Sequence, residues 1–307
     1  MKKEKIKFNL NFSVVSWLIL ISFIARLAVV FFLGDQYLEN EWKTLLYNLE
    51  NYKSYSFFTI DGQLIPSVYM PPLYPFFLYI TKFISFEKIS FINLVFFIQI
   101  LLSTYGVFIF YKINQKIFSN NVSIINSFIF SLFPLNLYTT GQISSINFQI
   151  FLSLLFIQYV FYLSENLSKK NITIFSITSG LLFLIRGEFI LIFLTSIFYL
   201  LLFKKIKVKS LFKIIVIISL IISPYVIRNY FTFDQITIVK SLGYNLWKGN
   251  NQWSLTEGSE FSNRINFSKI QKEIDHPEII SLKKKLKNIN YPNLSLTDFL
   301  FPLLKLR

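Results

Sequence analysis

The chain has 307 residues, 53% hydrophobic and 19% aromatic, with 15% charged and a mean hydropathy of +0.52; a soluble domain of this size carries far more charge. Its net charge of +15 sits mostly in short Lys and Arg clusters between apolar runs, which is how membrane-flanking charge is placed and not how a nucleic-acid surface is built. There is no cysteine and a single histidine, His276, which excludes disulfides, thiolate metal sites and His-based zinc centres.

A bilayer core ~30 Å thick needs roughly 20 apolar residues per helix. The first run, Ser13 to Leu33, follows the basic "MKKEKIK"; it is too long for a signal peptide and lacks a small-residue cleavage site, so it reads as an uncleaved first span. A polar segment from Gly34 to Tyr69 leads to "MPPLYPFFLYITKFI", Met70 to Ile84, which is short and rich in proline. Treating Pro71 to Ile84 as a re-entrant or interfacial helix begun by its prolines keeps "YKINQK", "SENLSKK" and "KKIKVK" on the side of the N-terminus, as the positive-inside rule requires. The other spans are then Ile89 to Tyr111, Val122 to Tyr138, Asn147 to Leu163, Ile172 to Ile185, Phe189 to Phe203 and Leu211 to Ile227, about seven in all. This predicts an all-α polytopic membrane protein with a cytoplasmic N-terminus. Residues 1–227 form a transmembrane bundle with a large first extracytoplasmic loop, 34–88, and 228–307 form an extracytoplasmic region. The closing "FLFPLLKLR" reads as the opening of a further span, cut off.

The stretch "GDQYLENEW" concentrates Asp35, Glu39 and Glu41 beside the end of the first span. One reading is a solvated helix start, since acids favour the N-terminal end of a helix dipole. The other is a general base, because a carboxylate at a membrane surface can have its pKa raised toward a useful value. The same face carries Arg186 and Glu188 in "LIRGEF" and Arg228 with Asn229 in "RNYF". Arg186 and Glu188 could close a tight hairpin as an ion pair, or Arg186 could face a phosphate with its paired donors. Arg228 admits a snorkelling role or an anion-binding one. Arg26, inside the first span, requires a partner within the bundle, and a carboxylate of the outer loops or Glu188 would serve. In "LGYNLWKGNNQW", Asn245 and Asn250 lie among glycines and aromatics, as in turns or as in a sugar-binding surface.

Together, "ENEW", "NLENYKSYSF", "PPLYPFFLYI", "FPLNLYTTGQISSINFQIF", "SGLLFLIRGEF" and "SPYVIRNYFTF…GYNLWKGNN" follow the order seen in a known group. Over roughly Ser13 to Asn251 the chain resembles the membrane GT-C superfamily of polyprenyl-phosphate-dependent glycosyltransferases, nearest in pattern to protein O-mannosyltransferases and bacterial aminoarabinose transferases. The resemblance implies a GT-C-like helix bundle, a polyprenyl-phosphate sugar donor, a glycan, lipid or protein acceptor, contact with membrane lipid, no nucleic acid, no cofactor, no metal and a bacterial inner membrane. It also implies an inverting transfer in which a first-loop acid is the base and basic residues hold the phosphate. Relatives commonly place an Asp four residues before the aromatic, which here is Leu38; Glu39 and Glu41 rank level as replacements, with Asp35 third. On the same terms Arg186 and Arg228 bind the donor phosphate, Glu188, Asn229 and Arg26 support the site, and Asn245 and Asn250 contact substrate.

Two other classes compete: a transporter or channel, in which Arg26, Arg186 and Glu188 would be coupling or gating charges, and a non-catalytic lipid-binding relative. His276, the "NIT" and "NLS" triplets and "KKKLK" read as surface features of an Asn- and Lys-rich chain.

Overall fold

The computed structural model describes residues 12–38, 40–60, 63–85, 90–204 and 206–241. Among them run α1 (Phe12–Leu33), α2 (Asn40–Tyr52), β1 (Ser56–Ile60), β2 (Gln63–Pro66), α3 (Leu73–Ile84), α4 (Phe91–Asn114), α5 (Asn120–Leu132), α6 (Pro134–Tyr138), α7 (Ile146–Glu165), α8 (Lys169–Ile185), α9 (Phe189–Lys204) and α10 (Val208–Phe233). Four of them, α1, α4, α7 and α10, are long and apolar enough to cross a membrane. At 1.5 Å per residue, roughly 20 residues cover a ~30 Å core.

The remaining expected spans are shorter helices. The run 122–138 is broken: α5 stops at Leu132, Phe133 is extended with ψ 121°, and α6 starts on Pro134. Proline has no N–H to continue α5 and drives the residue before it out of the helical region. Helices α8 and α9 have 17 and 16 residues. Helix α3 starts directly behind Pro71 and Pro72 with Pro75 in its first turn, where a missing N–H costs nothing; its 12 residues reach only ~18 Å. Helix α10 runs past the expected end at Ile227, so Arg228 and Asn229 lie inside it, and it closes where Asp234 takes a left-handed φ of 54°. One departure from an all-helical chain is the antiparallel pair β1–β2, with Phe58 opposite Ile65, Ile60 opposite Gln63 and a bulge between Ser56 and Phe58.

The described chain divides into two compact units, 12–46 with 73–221 and 47–72 with 222–241, so the middle of the first loop groups with the segment after 221. In the first unit α4 packs against α1, α5 and α7, and α7 against α8. Its buried cluster joins Leu46, Tyr74, Leu78, Val95, Phe96 and Ile143, with Trp42 edge-on to Tyr74 at 5.0 Å between ring centroids.

Polar contacts fix which helix ends lie together. Beyond α1, the Asp35 N–H donates to Gly141 O (2.9 Å), and Arg186 Nε donates to Gln149 Oε1 (3.2 Å). At the opposite end, Tyr111 Oη donates to Asn120 Oδ1 (2.9 Å) and Lys116 pairs with Glu165 at 2.8 Å. The chain thus runs from the Lys116 end to the Asp35 end through α5 and α6, returns through α7, and comes back through α8.

The second unit is organised around Arg228. Its Nη1 donates to Ser67 O (2.9 Å) and Asn229 Oδ1 (2.7 Å), and its Nη2 to Tyr55 O (3.3 Å). The guanidinium also lies 5.5, 5.8 and 5.2 Å from the rings of Tyr55, Tyr225 and Phe233.

Candidate functional site

Of the three first-loop acids, Asp35 is the one with described side-chain surroundings. Glu39 lies outside the described residues; Glu41 is in the first turn of α2, with its side chain outside them. Asp35 is half-buried, its Oδ2 accepting from the Ile143 N–H (2.7 Å) and its Oδ1 from Gln142 Nε2 (3.1 Å). Two different donors on two oxygens fix the plane of the carboxylate.

Behind this clasp stands Gln99, wholly buried in α4. Its Nε2 donates to Thr140 O (3.1 Å) and Gln142 O (3.0 Å), while its Oε1 accepts from Tyr74 Oη (3.0 Å). Every polar atom of the amide is engaged, so the turn 140–143 that grips Asp35 is anchored on one helix of the core. Burial, with the negative charge of Asp35 adding to it, pushes the Tyr74 hydroxyl well above the usual tyrosine range, so Tyr74 remains a proton donor. Tyr74, Gln99 and Gln142 were not anticipated from the sequence; the available signal was an amide inside the otherwise apolar "FFIQILL".

Arg186 caps the C-terminal end of α8 at the Asp35 end of the unit, half-buried. Only its Nε is bonded, to Gln149, and its two terminal nitrogens have no hydrogen bond among the described residues. Glu188 is exposed, and among the described residues no ion pair joins it to Arg186, so the hairpin is not closed in that way.

Arg228 and Asn229 are brought together, but their groups face the protein. The Asn229 amide is fully buried, accepting from Arg228 and donating to Thr237 O (2.7 Å). Tyr55, which donates to Met70 O (3.0 Å) and Pro71 O (3.2 Å), has its hydroxyl pushed well above its usual range chiefly by burial. This arrangement ties α10 to the loop at 55–71.

Arg26 corrects an expectation. It is 1% exposed, and its partners are neutral: Ser103 Oγ (2.6 Å), Ser22 Oγ (2.6 Å), Ser22 O (3.1 Å) and Ser131 O (3.1 Å). Among the described residues no carboxylate meets it, and Glu39 and the Glu41 side chain lie outside them. Asn245, Asn250, His276 and "KKKLK" lie outside the described residues. Neither the family models, nor the curated proteins, nor the solved structures compared with this chain match it, and any functional reading therefore stands on its own residues.

Proposed function

We propose that the chain is an inverting glycosyltransferase that moves a sugar from a polyprenyl-phosphate donor to an acceptor hydroxyl or amine at the outer face of a bacterial inner membrane. The observation that carries this reading is the half-buried Asp35 carboxylate, clasped by Ile143 N–H and Gln142 just beyond the end of a membrane-length helix. A base must be held in a fixed orientation yet keep lone pairs for the acceptor, and an oxygen that accepts one hydrogen bond can accept another. The ordered motifs that resemble the GT-C glycosyltransferases support the same reading.

Asp35 takes the proton of the acceptor as its oxygen or nitrogen attacks the anomeric carbon. The bond from that carbon to the phosphate oxygen breaks, and the lipid phosphate leaves with the electron pair. Arg186, with unbonded terminal N–H groups at the same end of the helices, receives the developing phosphate charge. Arg228 has most of its donors turned to Ser67, Tyr55 and Asn229, and acts by positioning the loop around residues 55–71.

The test is transfer of radiolabelled sugar from a synthetic polyprenyl-phosphate donor by purified protein. Asp35→Asn is expected to lower turnover by roughly 10²- to 10⁴-fold, the usual worth of general base catalysis, with Glu39→Gln and Glu41→Gln much milder. The opposite pattern would move the base into α2 or to its start. No donor consumption by wild type across several sugars and acceptors would sink the enzyme reading in favour of a transporter or a lipid-binding protein.

A further inference from the structure

Gln149 is the fourth residue of α7, and of its side chain only Oε1 is bonded, to Arg186 Nε at 3.2 Å. An amide keeps its outline when its oxygen and nitrogen are exchanged, so its partner must decide which is which. A guanidinium can only donate, and the atom it touches is therefore the carbonyl oxygen. Nε2 of the same planar group then lies beside the guanidinium, with two N–H donors that have no acceptor among the described residues. The Gln149 backbone is held at the same place, its N–H donating to Ser145 O (2.9 Å) and its carbonyl accepting from Ser153 Oγ (2.6 Å).

Three nitrogens thus collect with nothing among the described residues to receive their protons: Gln149 Nε2 and the two terminal nitrogens of Arg186. Bonding through Nε leaves the outward fork of the guanidinium, with its parallel N–H groups, free for a bidentate acceptor. Glu188, two residues from Arg186, is exposed and makes no ion pair with it among the described residues. The donors sit at the positive end of a 20-residue helix whose N-cap, Ser145, makes no side-chain cap bond. That helix follows directly on the turn whose Gln142 and Ile143 clasp Asp35, so one stretch, 142–149, sets both the carboxylate and the donors.

We infer that Gln149 is a second ligand of the phosphate that Arg186 receives, donating to it through Nε2 while Oε1 holds Arg186 in place. The identity of that phosphate, as the headgroup of the departing polyprenyl lipid, rests on the glycosyltransferase reading. As the bond to the anomeric carbon breaks, the phosphate oxygen takes the electron pair and gains charge, and hydrogen bonds to it strengthen at that moment. Gln149 therefore favours the transition state and the lipid phosphate product over the intact donor.

The experiment uses the full chain in detergent and reads equilibrium binding of a tritiated polyprenyl phosphate, beside sugar transfer and thermal unfolding. The uncharged polyprenol of the same chain and inorganic phosphate are the competitors. Wild type is expected to bind the lipid phosphate in preference to both. Gln149→Met, close in shape but without N–H donors, is expected to weaken that binding about 10- to 100-fold, as loss of a hydrogen bond to a charged group does. It should also lower kcat more than it raises KM. Gln149→Glu keeps an acceptor for Arg186 Nε but sets a negative charge against the phosphate, so it should unfold no earlier than wild type and yet lose the lipid phosphate. Gln149→Lys restores a donor without holding Arg186, and is expected to bind more tightly than Gln149→Met. Ser196→Ala, on α9 and bonded only to its own helix, is expected to behave as wild type. Binding as weak in Gln149→Lys as in Gln149→Met would leave Gln149 only the task of holding Arg186 and overturn its place as a ligand. Displacement by inorganic phosphate as readily as by the lipid phosphate would overturn the lipid assignment. Sugar transfer with Gln149→Met and Gln149→Glu unimpaired would sink the inference and keep the transferase reading. Gln149-dependent binding of the lipid phosphate without any sugar transfer by wild type would do the reverse.

Discussion

Gly34 stands between the last turn of α1 and Asp35, and a Cβ there would run into the Val30 carbonyl oxygen, to which the Gly34 N–H also donates at 3.0 Å. The next residue must bond Gly141 and place its carboxylate on Ile143, so a shift of the backbone at 34 moves the candidate base. Gly34→Ala is expected to cost about 1–3 kcal/mol of stability, the range for strained backbone substitutions, and to reduce sugar transfer with Asp35 itself intact. Thermal unfolding and turnover measured on the same preparation check both parts, and a variant with wild-type stability and turnover would refute the steric argument. At this scale the sequence carried needs better than partners. That Arg26 required company follows from its place in an apolar run, and Ser22 stands one helical turn before it, but its other partners come from distant stretches, at 103 and 131, which no local pattern connects. Arg186 and Arg228 looked equivalent as basic residues at helix ends; only folding shows one with unfilled donors and the other packed among three rings.

Helix α4 illustrates how an element can carry a site without contributing a reactive group. It buries Gln99 among apolar neighbours, and the amide bonds a tyrosine hydroxyl from α3 and two carbonyls of the turn that follows α6. Replacing it with leucine would leave the buried Tyr74 hydroxyl and Thr140 carbonyl without this partner, each worth about 1–3 kcal/mol, while the Gln142 carbonyl keeps the Ser144 N–H. Gln99→Leu is therefore expected to destabilise the protein by several kcal/mol and to loosen the 140–143 turn, read as faster amide exchange at Ile143. Exchange unchanged at that amide would show that the turn is held some other way. Most helices were legible as apolar runs of the right length, and α3 as a short helix started by prolines, because those features are local. The break between α5 and α6 was also written locally, in Pro134, but an apolar run on both sides concealed it. The hairpin β1–β2 had too little alternation to announce itself, and the grouping of 47–72 with the residues after 221 depends on contacts between distant segments such as Lys240 N–H to Val68 O (2.9 Å).

For the molecule as a whole, the question is how many times the chain crosses. Four helices meet the length for crossing alone, yet the positive-inside rule asks for about seven crossings if "SENLSKK" and "KKIKVK" are to share the side of the N-terminus. The contacts resolve the tension through α5 and α6. Asn120 lies against Tyr111 at one end of α4, and Gly141 lies against Asp35 at the other, so the broken pair passes the length of the unit although neither piece is long enough by itself. Phe133, the non-helical residue at the break, carries a backbone N–H bonded to Phe130 O at 3.4 Å, and Asn136 Nδ2 donates to the same carbonyl at 3.4 Å, so the interruption is partly satisfied from within, as non-helical backbone at membrane depth requires. Because the chain has no cysteine, single cysteines can be placed at the exposed positions Gln36, Ser119 and Asn166 and probed in intact cells with a membrane-impermeant maleimide. Gln36→Cys should react from outside, whereas Ser119→Cys and Asn166→Cys should react only after permeabilisation. If α5 and α6 failed to cross, Ser119→Cys and Asn166→Cys would fall on opposite sides. Agreement between those two positions is thus the measurement on which the seven-crossing arrangement depends, and with it the placing of Asp35 and Arg186 at one membrane surface.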